Sequence, residues 1–102
     1  MALRLVATKR ARRDILDLLS YIAADDQAAA RSMQGRIDKT LGLLAKLPFI
    51  GPGAGLRDAS LRRFSIPPYV IFYKPQGETL AVVRVIHSSM DISRQQIADH
   101  LA

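Results

Sequence analysis

"LRRFSIPPYVIFYKPQGETLAVVRVIHSSMD", Leu61 to Asp91, is the stretch where the hydrophobic period of the chain changes from 3.6 to 2. Three β-rich runs stand in it: Leu61–Ile66, Tyr69–Lys74 and Leu80–His87. Each is dense in β-branched or aromatic residues, as strands are. Pro67-Pro68 separates the first two and "PQGE" (Pro75–Glu78) the second two. Links this short demand antiparallel neighbours. The last run is apolar on both faces, which places it centrally in the sheet with cover on both sides. It nevertheless carries Arg84 at its middle and His87 at its exit. These two residues either manage the end of a sheet or face a site.

Upstream the period is helical. From Lys9 to Ala24 the residues Ala11, Ile15, Leu18, Leu19 and Ile22 form one stripe, with Thr8 as the expected N-cap. "ADDQ" (Ala24–Gln27) interrupts, and Asp26 caps a second helix whose stripe runs Ala30, Met33, Ile37, Leu41, Leu44 and Leu47. Pro48 ends it. A link of two or three residues between amphipathic helices implies an antiparallel hairpin. "ALRLVA" (Ala2–Ala7) reads as a first strand with Leu3 and Leu5 on one face. "PFIGPGAG" (Pro48–Gly55) is a turn-rich connection and not a phosphate loop, since no Lys-Ser or Lys-Thr follows it. After "SSMD", the segment "ISRQQIADHLA" is a short helix candidate.

The expected order is therefore β-α-α-β-β-β-(α), an α+β fold in one domain, 1–102. Its sheet is four-stranded and antiparallel-rich, with the N-terminal αα-hairpin on one face through Ile15, Leu18, Ile22, Met33, Ile37, Leu41 and Leu44. The other face is left to Arg side chains, the terminal helix or something outside this chain.

Composition excludes several functions. The 102 residues include no Cys, so there is no thiol nucleophile, disulfide framework or Cys-based zinc site. Two histidines, His87 and His100, are too few for a His-rich metal cluster. No metal or cofactor is expected. There is no apolar core for a signal peptide and no membrane-length segment, which fits a cytoplasmic protein. Fifteen Lys+Arg against nine Asp+Glu give a net charge of +6. Eleven of the fifteen are Arg, and Glu78 is the sole Glu. Such a surface suits nucleic acid, an acidic protein or anionic lipid, or it is simply a solvated surface.

The same C-terminal stretch resembles the ParE/RelE superfamily of small bacterial toxins, whose pattern reads "LR-x-F … Y-x-I-x-Y … I-x-R-V-x-H-x-x-R-D". Arg62 or Arg63 with Phe64, then Tyr69, Ile71, Phe72 and Tyr73, then Val83, Arg84, Val85, His87 and Asp91 stand in the matching places. "DILDLLSYIAADDQAAA" and "LLAKLPFIGPG" resemble the helical half, and the Arg84–His87 end is closer to ParE than to RelE. One departure is plain: Met90 stands where the family has Arg before Asp. The resemblance implies the toxin of a type II toxin–antitoxin pair that blocks DNA gyrase, and so replication. It also implies neutralisation by, and assembly with, a cognate acidic antitoxin. The alternatives are a ribosome-dependent mRNA endoribonuclease of the RelE kind and a non-toxic member that serves only as antitoxin partner.

The residues themselves are less committal. His87 is an acid–base group, a contact to a protein target, or a strand-end ring tied to nearby backbone. Arg84 meets a phosphate or carboxylate of a target, or pairs with Asp91 or Asp58. Tyr69 and Tyr73 alternate with Ile71 on one face and read as core. A nuclease would draw on Arg62, Arg84 and His87, with no acid placed as base, and that shortage argues for a binding poison. Strand alternation sets Arg84 and His87 on opposite faces unless a bulge intervenes. The target-contact candidates are Arg63, Arg84, His87, Met90, Asp91 and Arg94. Those for the antitoxin are Ile15, Leu19, Phe64 and Tyr73. Membrane binding is not expected, and direct contact with nucleic acid is left open.

Overall fold

A computed structural model describes residues 2–90 of the chain. The expected terminal helix, with Asp91, Arg94 and His100, lies outside the described residues. The order is β1 (Arg4–Ala7), α1 (Lys9–Asp25), α2 (Gln27–Lys46), β2 (Arg62–Ile66), β3 (Tyr69–Gln76) and β4 (Thr79–His87). The strands form one sheet in the order β1-β4-β3-β2. β4 is central, as its two-sided apolarity requires. β2, β3 and β4 are antiparallel neighbours, while β1 runs parallel to β4, so the sheet is mixed.

Thr8 makes the turn from β1 into α1. Its N–H donates to Val82 O at 3.0 Å, and its hydroxyl accepts from Ala11 N at 3.0 Å and donates to Val83 O at 2.9 Å. One residue thus ends the strand, caps the helix and pins both to β4. The link between the helices is a single residue. Asp26 closes α1 by donating to Ile22 O and opens α2 by accepting from Ala29 N at 3.1 Å. With so short a link the helices fold back on one another.

The helices pack on one face of the sheet. Leu18, Met33, Ile37 and Leu44 meet Ile71, Tyr73, Leu80 and Val82 in one core, with Ile15, Ile22 and Leu41 half-buried at its margin. Ile37 is 2% exposed. Its truncation to Ala removes about 2–5 kcal/mol, as for other buried aliphatics.

The opposite face is covered by the chain itself, contrary to the sequence expectation. Leu61, Phe72, Val83 and Ile86 form a second cluster, packed against Ala54, Leu56 and Val70. The Gly- and Pro-rich connection after α2 is therefore built structure. Arg63 N–H donates to Pro52 O at 3.0 Å, so the loop covers the outer edge of β2. Gly51 is buried under the Tyr73 hydroxyl, which accepts its N–H at 3.0 Å. A Cβ at Gly51 would clash with Arg63 O and lie 2.6 Å from the Tyr73 oxygen, so only glycine fits. Gly77 stands in the two-residue link of β3 to β4 with φ +57°, where a side chain is strained.

Candidate functional site

The polar residues of β4 are arranged by an irregularity. Phe72 pairs with Arg84 but Tyr73 pairs with Val82, so Val83 is an extra residue in β4. Such a bulge resets the alternation of faces. Val82 and Val85 both join the core under the helices, and Val83 and Ile86 join the opposite cluster. His87, paired with Tyr69, returns to the helix side and meets that ring edge-on at 5.6 Å.

The Arg84 side chain reaches α1. It is 2% exposed, and its Nε and Nη2 donate to the two carboxylate oxygens of Asp14 at 2.7 and 3.1 Å. Asp14 further accepts the Val85 backbone N–H at 3.0 Å. The carboxylate thereby serves as the missing neighbour strand for this part of β4. A buried guanidinium with a two-pronged carboxylate partner is the arrangement that makes a buried charge tolerable. The bulge precedes both Arg84 and His87, so alternation still pairs Arg84 with Phe72 of the second cluster and His87 with Tyr69 of the helix-side core, and it is the long Arg84 side chain that reaches Asp14. Arg84 pairs with Asp14 and not with the expected Asp58, while Asp91, the other expected partner, lies outside the described residues. Asp58 instead pairs with Lys74 at 2.7 Å.

Arg84, Asp14 and His87 line one depression of about 600 Å³, with Asp17, Tyr21 and Met90 on its walls and rim. His87 is exposed, and its Nδ1 accepts the Ser89 backbone N–H at 3.1 Å and faces the Ser89 hydroxyl at 2.8 Å. The backbone donor fixes Nδ1 as an acceptor, so the neutral ring carries its proton on Nε2. Met90 is 40% exposed and Tyr21 80%.

The other sequence candidates lie elsewhere. Arg62 pairs with Tyr73 at the far side of the sheet, donates to Phe49 O at 3.2 Å, and stacks on the Phe49 ring at 4.9 Å. Arg63 is exposed beside it. Arg62, Arg84 and His87 therefore do not converge on one point, as a nuclease built from them would require. Two further candidates are buried. Arg84 is 2% exposed, and Tyr73 is 0% exposed in the helix-side core. Burial raises its phenol pKa above the usual range, against the opposing effects of the Gly51 N–H and of Arg62. Ile15, Leu19 and Phe64 are half-buried and pack against the helix-side core. Asp91 and Arg94 lie outside the described residues. Among the described residues no group of three His, Cys, Asp or Glu could hold a metal ion. No described helix is long and apolar enough to cross a membrane.

Sequence reasoning missed Asp14 and Tyr21. A signal for Asp14 existed: it lies three residues after Ala11 and four before Leu18, on the core-facing stripe of α1. A carboxylate there must find a buried partner.

The comparisons with known proteins agree on one family. The model of the "ParE toxin of type II toxin-antitoxin system, parDE" matches residues 5–92. Among solved structures, the chromosomal ParDE toxin–antitoxin system from P. aeruginosa is similar, with a TM-score of 0.70 and 16% identity over 84% of this chain and 96% of that one. The toxin–antitoxin complex RelBE2 from Mycobacterium tuberculosis is also similar, with a TM-score of 0.63 and 21% identity over 85% of this chain and 99% of that one. At these identities the two structures speak for the fold, which is of the RelE/ParE kind. No curated protein matches. Since the family match takes in nearly the whole helical hairpin and sheet, the chain belongs to the ParE toxin family of type II toxin–antitoxin systems.

Proposed function

We propose that this toxin inhibits DNA gyrase by docking on it, blocks replication, and is neutralised by an acidic cognate antitoxin. The observation that carries the reading is the dispersal of the candidate catalytic groups. Arg84 is spent on Asp14, Arg62 on the loop after α2, and His87, which shares a depression with Arg84 and Asp14, has its Nδ1 engaged by Ser89. Cleavage of RNA needs a base, an acid and cations around one phosphate. A binding inhibitor needs only a shaped surface, and the His87, Met90 and Tyr21 depression offers one. Aromatic and Met side chains are favoured at the centres of such interfaces. Membership of a family of toxins that work in toxin–antitoxin pairs supports the antitoxin partner. The charge of +6 favours an acidic one.

The test is induction of the toxin in growing cells, with and without the reading frame adjoining its gene. DNA and protein synthesis are followed by separate labels. The reading expects DNA synthesis to stop first and the adjoining product to restore growth. Protein synthesis stopping first would favour the ribosome as target and overturn the gyrase assignment.

A further inference from the structure

α1 is charged against its own dipole. Its first turn holds no acid and its last turn no base. Lys9, Arg10, Arg12 and Arg13 crowd its start, four of the fifteen Lys+Arg of the chain, and Asp25 closes it. The partial charges of a helix favour the reverse order. The cations also repel one another, since Lys9 and Arg12, Lys9 and Arg13, and Arg10 and Arg13 stand three or four positions apart. Little within the chain offsets this. Arg10 lies 3.9 Å from Asp14, whose carboxylate Arg84 and the Val85 N–H already engage. Arg13 meets Asp17 at 3.3 Å, but both side chains are largely exposed and water screens such a pair. Among the described residues Lys9 and Arg12 have no carboxylate partner.

Lys9, Arg12, Arg13 and Leu16 recur at helical spacing and are all exposed, so they share one outward face, turned away from the buried Ala11 and Leu18. With Thr8 and Arg10 they line an open depression of about 690 Å³. A ridge of cations that costs the fold and finds no partner inside it fits a polyanion, and its chemistry selects which one. Single strands are held by stacking their bases on aromatic rings, and this face carries none. A helix lying on a membrane needs a broad apolar face, and here Leu16 is the one large apolar side chain. The centre of a protein interface is depleted of charge. The phosphates of a duplex are met by just such Lys and Arg side chains, without regard to base sequence.

We infer that this outward face of α1 binds the phosphate backbone of double-stranded DNA. Arg12 and Arg13 are the main contacts, with Lys9 and Arg10 flanking them. The choice of DNA among duplexes rests on the reading of gyrase, an enzyme that works on duplex DNA, as the target. The face holds the toxin on the DNA that its target engages.

The experiment is fluorescence anisotropy of a short labelled DNA duplex of arbitrary sequence, titrated with the full chain at several salt concentrations and with gyrase absent. The wild type is compared with Arg12→Gln/Arg13→Gln and with Arg31→Gln/Lys39→Gln, which removes the same charge from exposed positions of α2. The inference expects the logarithm of the wild-type affinity to fall with the logarithm of salt at a slope of about −3. For Arg12→Gln/Arg13→Gln it expects a loss of affinity of about tenfold or more and a slope shallower by about two. The α2 pair changes both far less. Equal losses from the two double variants would show a response to net charge alone and overturn the inference. So would absence of binding, tighter binding to a single strand or to the same duplex in RNA, or binding to phosphatidylserine vesicles in place of DNA. The gyrase reading is tested apart from this, by inhibition of the enzyme, so the two can fail separately.

Discussion

Asp14 on α1 and Arg84 on β4, seventy positions apart in sequence, are joined by two hydrogen bonds of 2.7 and 3.1 Å. The pair ties the first helix to the centre of the sheet, where β1 no longer reaches. Removing one member leaves the other buried and uncompensated. Asp14→Ala is therefore expected to cost about 3–5 kcal/mol of folding stability. The double variant Asp14→Leu with Arg84→Met, which removes both charges, loses much less. Urea unfolding of the three proteins checks this. A loss below about 1 kcal/mol for Asp14→Ala would show that the pair does not hold the helix to the sheet.

Gly51 and Gly53 lie two residues apart in one loop but differ in what a methyl group would meet. At Gly51 it meets Arg63 O and the Tyr73 hydroxyl, and at Gly53 nothing within 4 Å. Gly51→Ala is expected to destabilise by about 1–3 kcal/mol through overpacking, and Gly53→Ala by less than about 0.5 kcal/mol. Thermal unfolding distinguishes them. Equal effects would mean that the loop after α2 is not packed as described.

Asp58 holds its pKa down, from 3.8 to about 2, first through the Lys74 hydrogen bond and then through Ser60. A carboxyl whose folded pKa is depressed adds stability above its unfolded pKa and loses it as pH falls through the folded value. The acid loss therefore falls between about pH 4 and 2, and Asp58→Asn should reduce the pH dependence in that window. The check is unfolding by urea at several pH values for both proteins. An unchanged pH dependence in the variant would remove Asp58 from the account.

Much of this fold was legible in the sequence. The change of period at Leu61 divides helices from strands, and the apolarity of Leu80–His87 on both faces marks β4 as central. Thr8, Asp26 and Pro48 mark helix boundaries because capping and proline geometry are local. The site was less legible. The bulge at Val83 leaves no mark in composition, yet it resets the faces of every β4 residue after it relative to those before it. The Asp14 partner is a tertiary fact, decided by where α1 lands on the sheet. Tyr73 fits the family pattern equally well as core or as contact, and only the packing of Gly51 against its hydroxyl shows it to be core.

The charge of +6 makes a kinetic prediction. Association with an acidic antitoxin is steered at long range, and added salt screens that attraction. Raising salt should slow the on-rate more than it speeds the off-rate, as measured by stopped-flow mixing. An on-rate indifferent to salt would take the net charge out of antitoxin recognition.

The most direct test of the binding-poison reading gives the purified toxin two substrates in parallel: gyrase with plasmid DNA, and translating ribosomes with mRNA. The account predicts that supercoiling by gyrase is inhibited, that mRNA stays intact, and that His87→Ala creates or abolishes no cleavage. Codon-dependent mRNA cleavage by the wild type that His87→Ala abolishes, with gyrase unaffected, would contradict it.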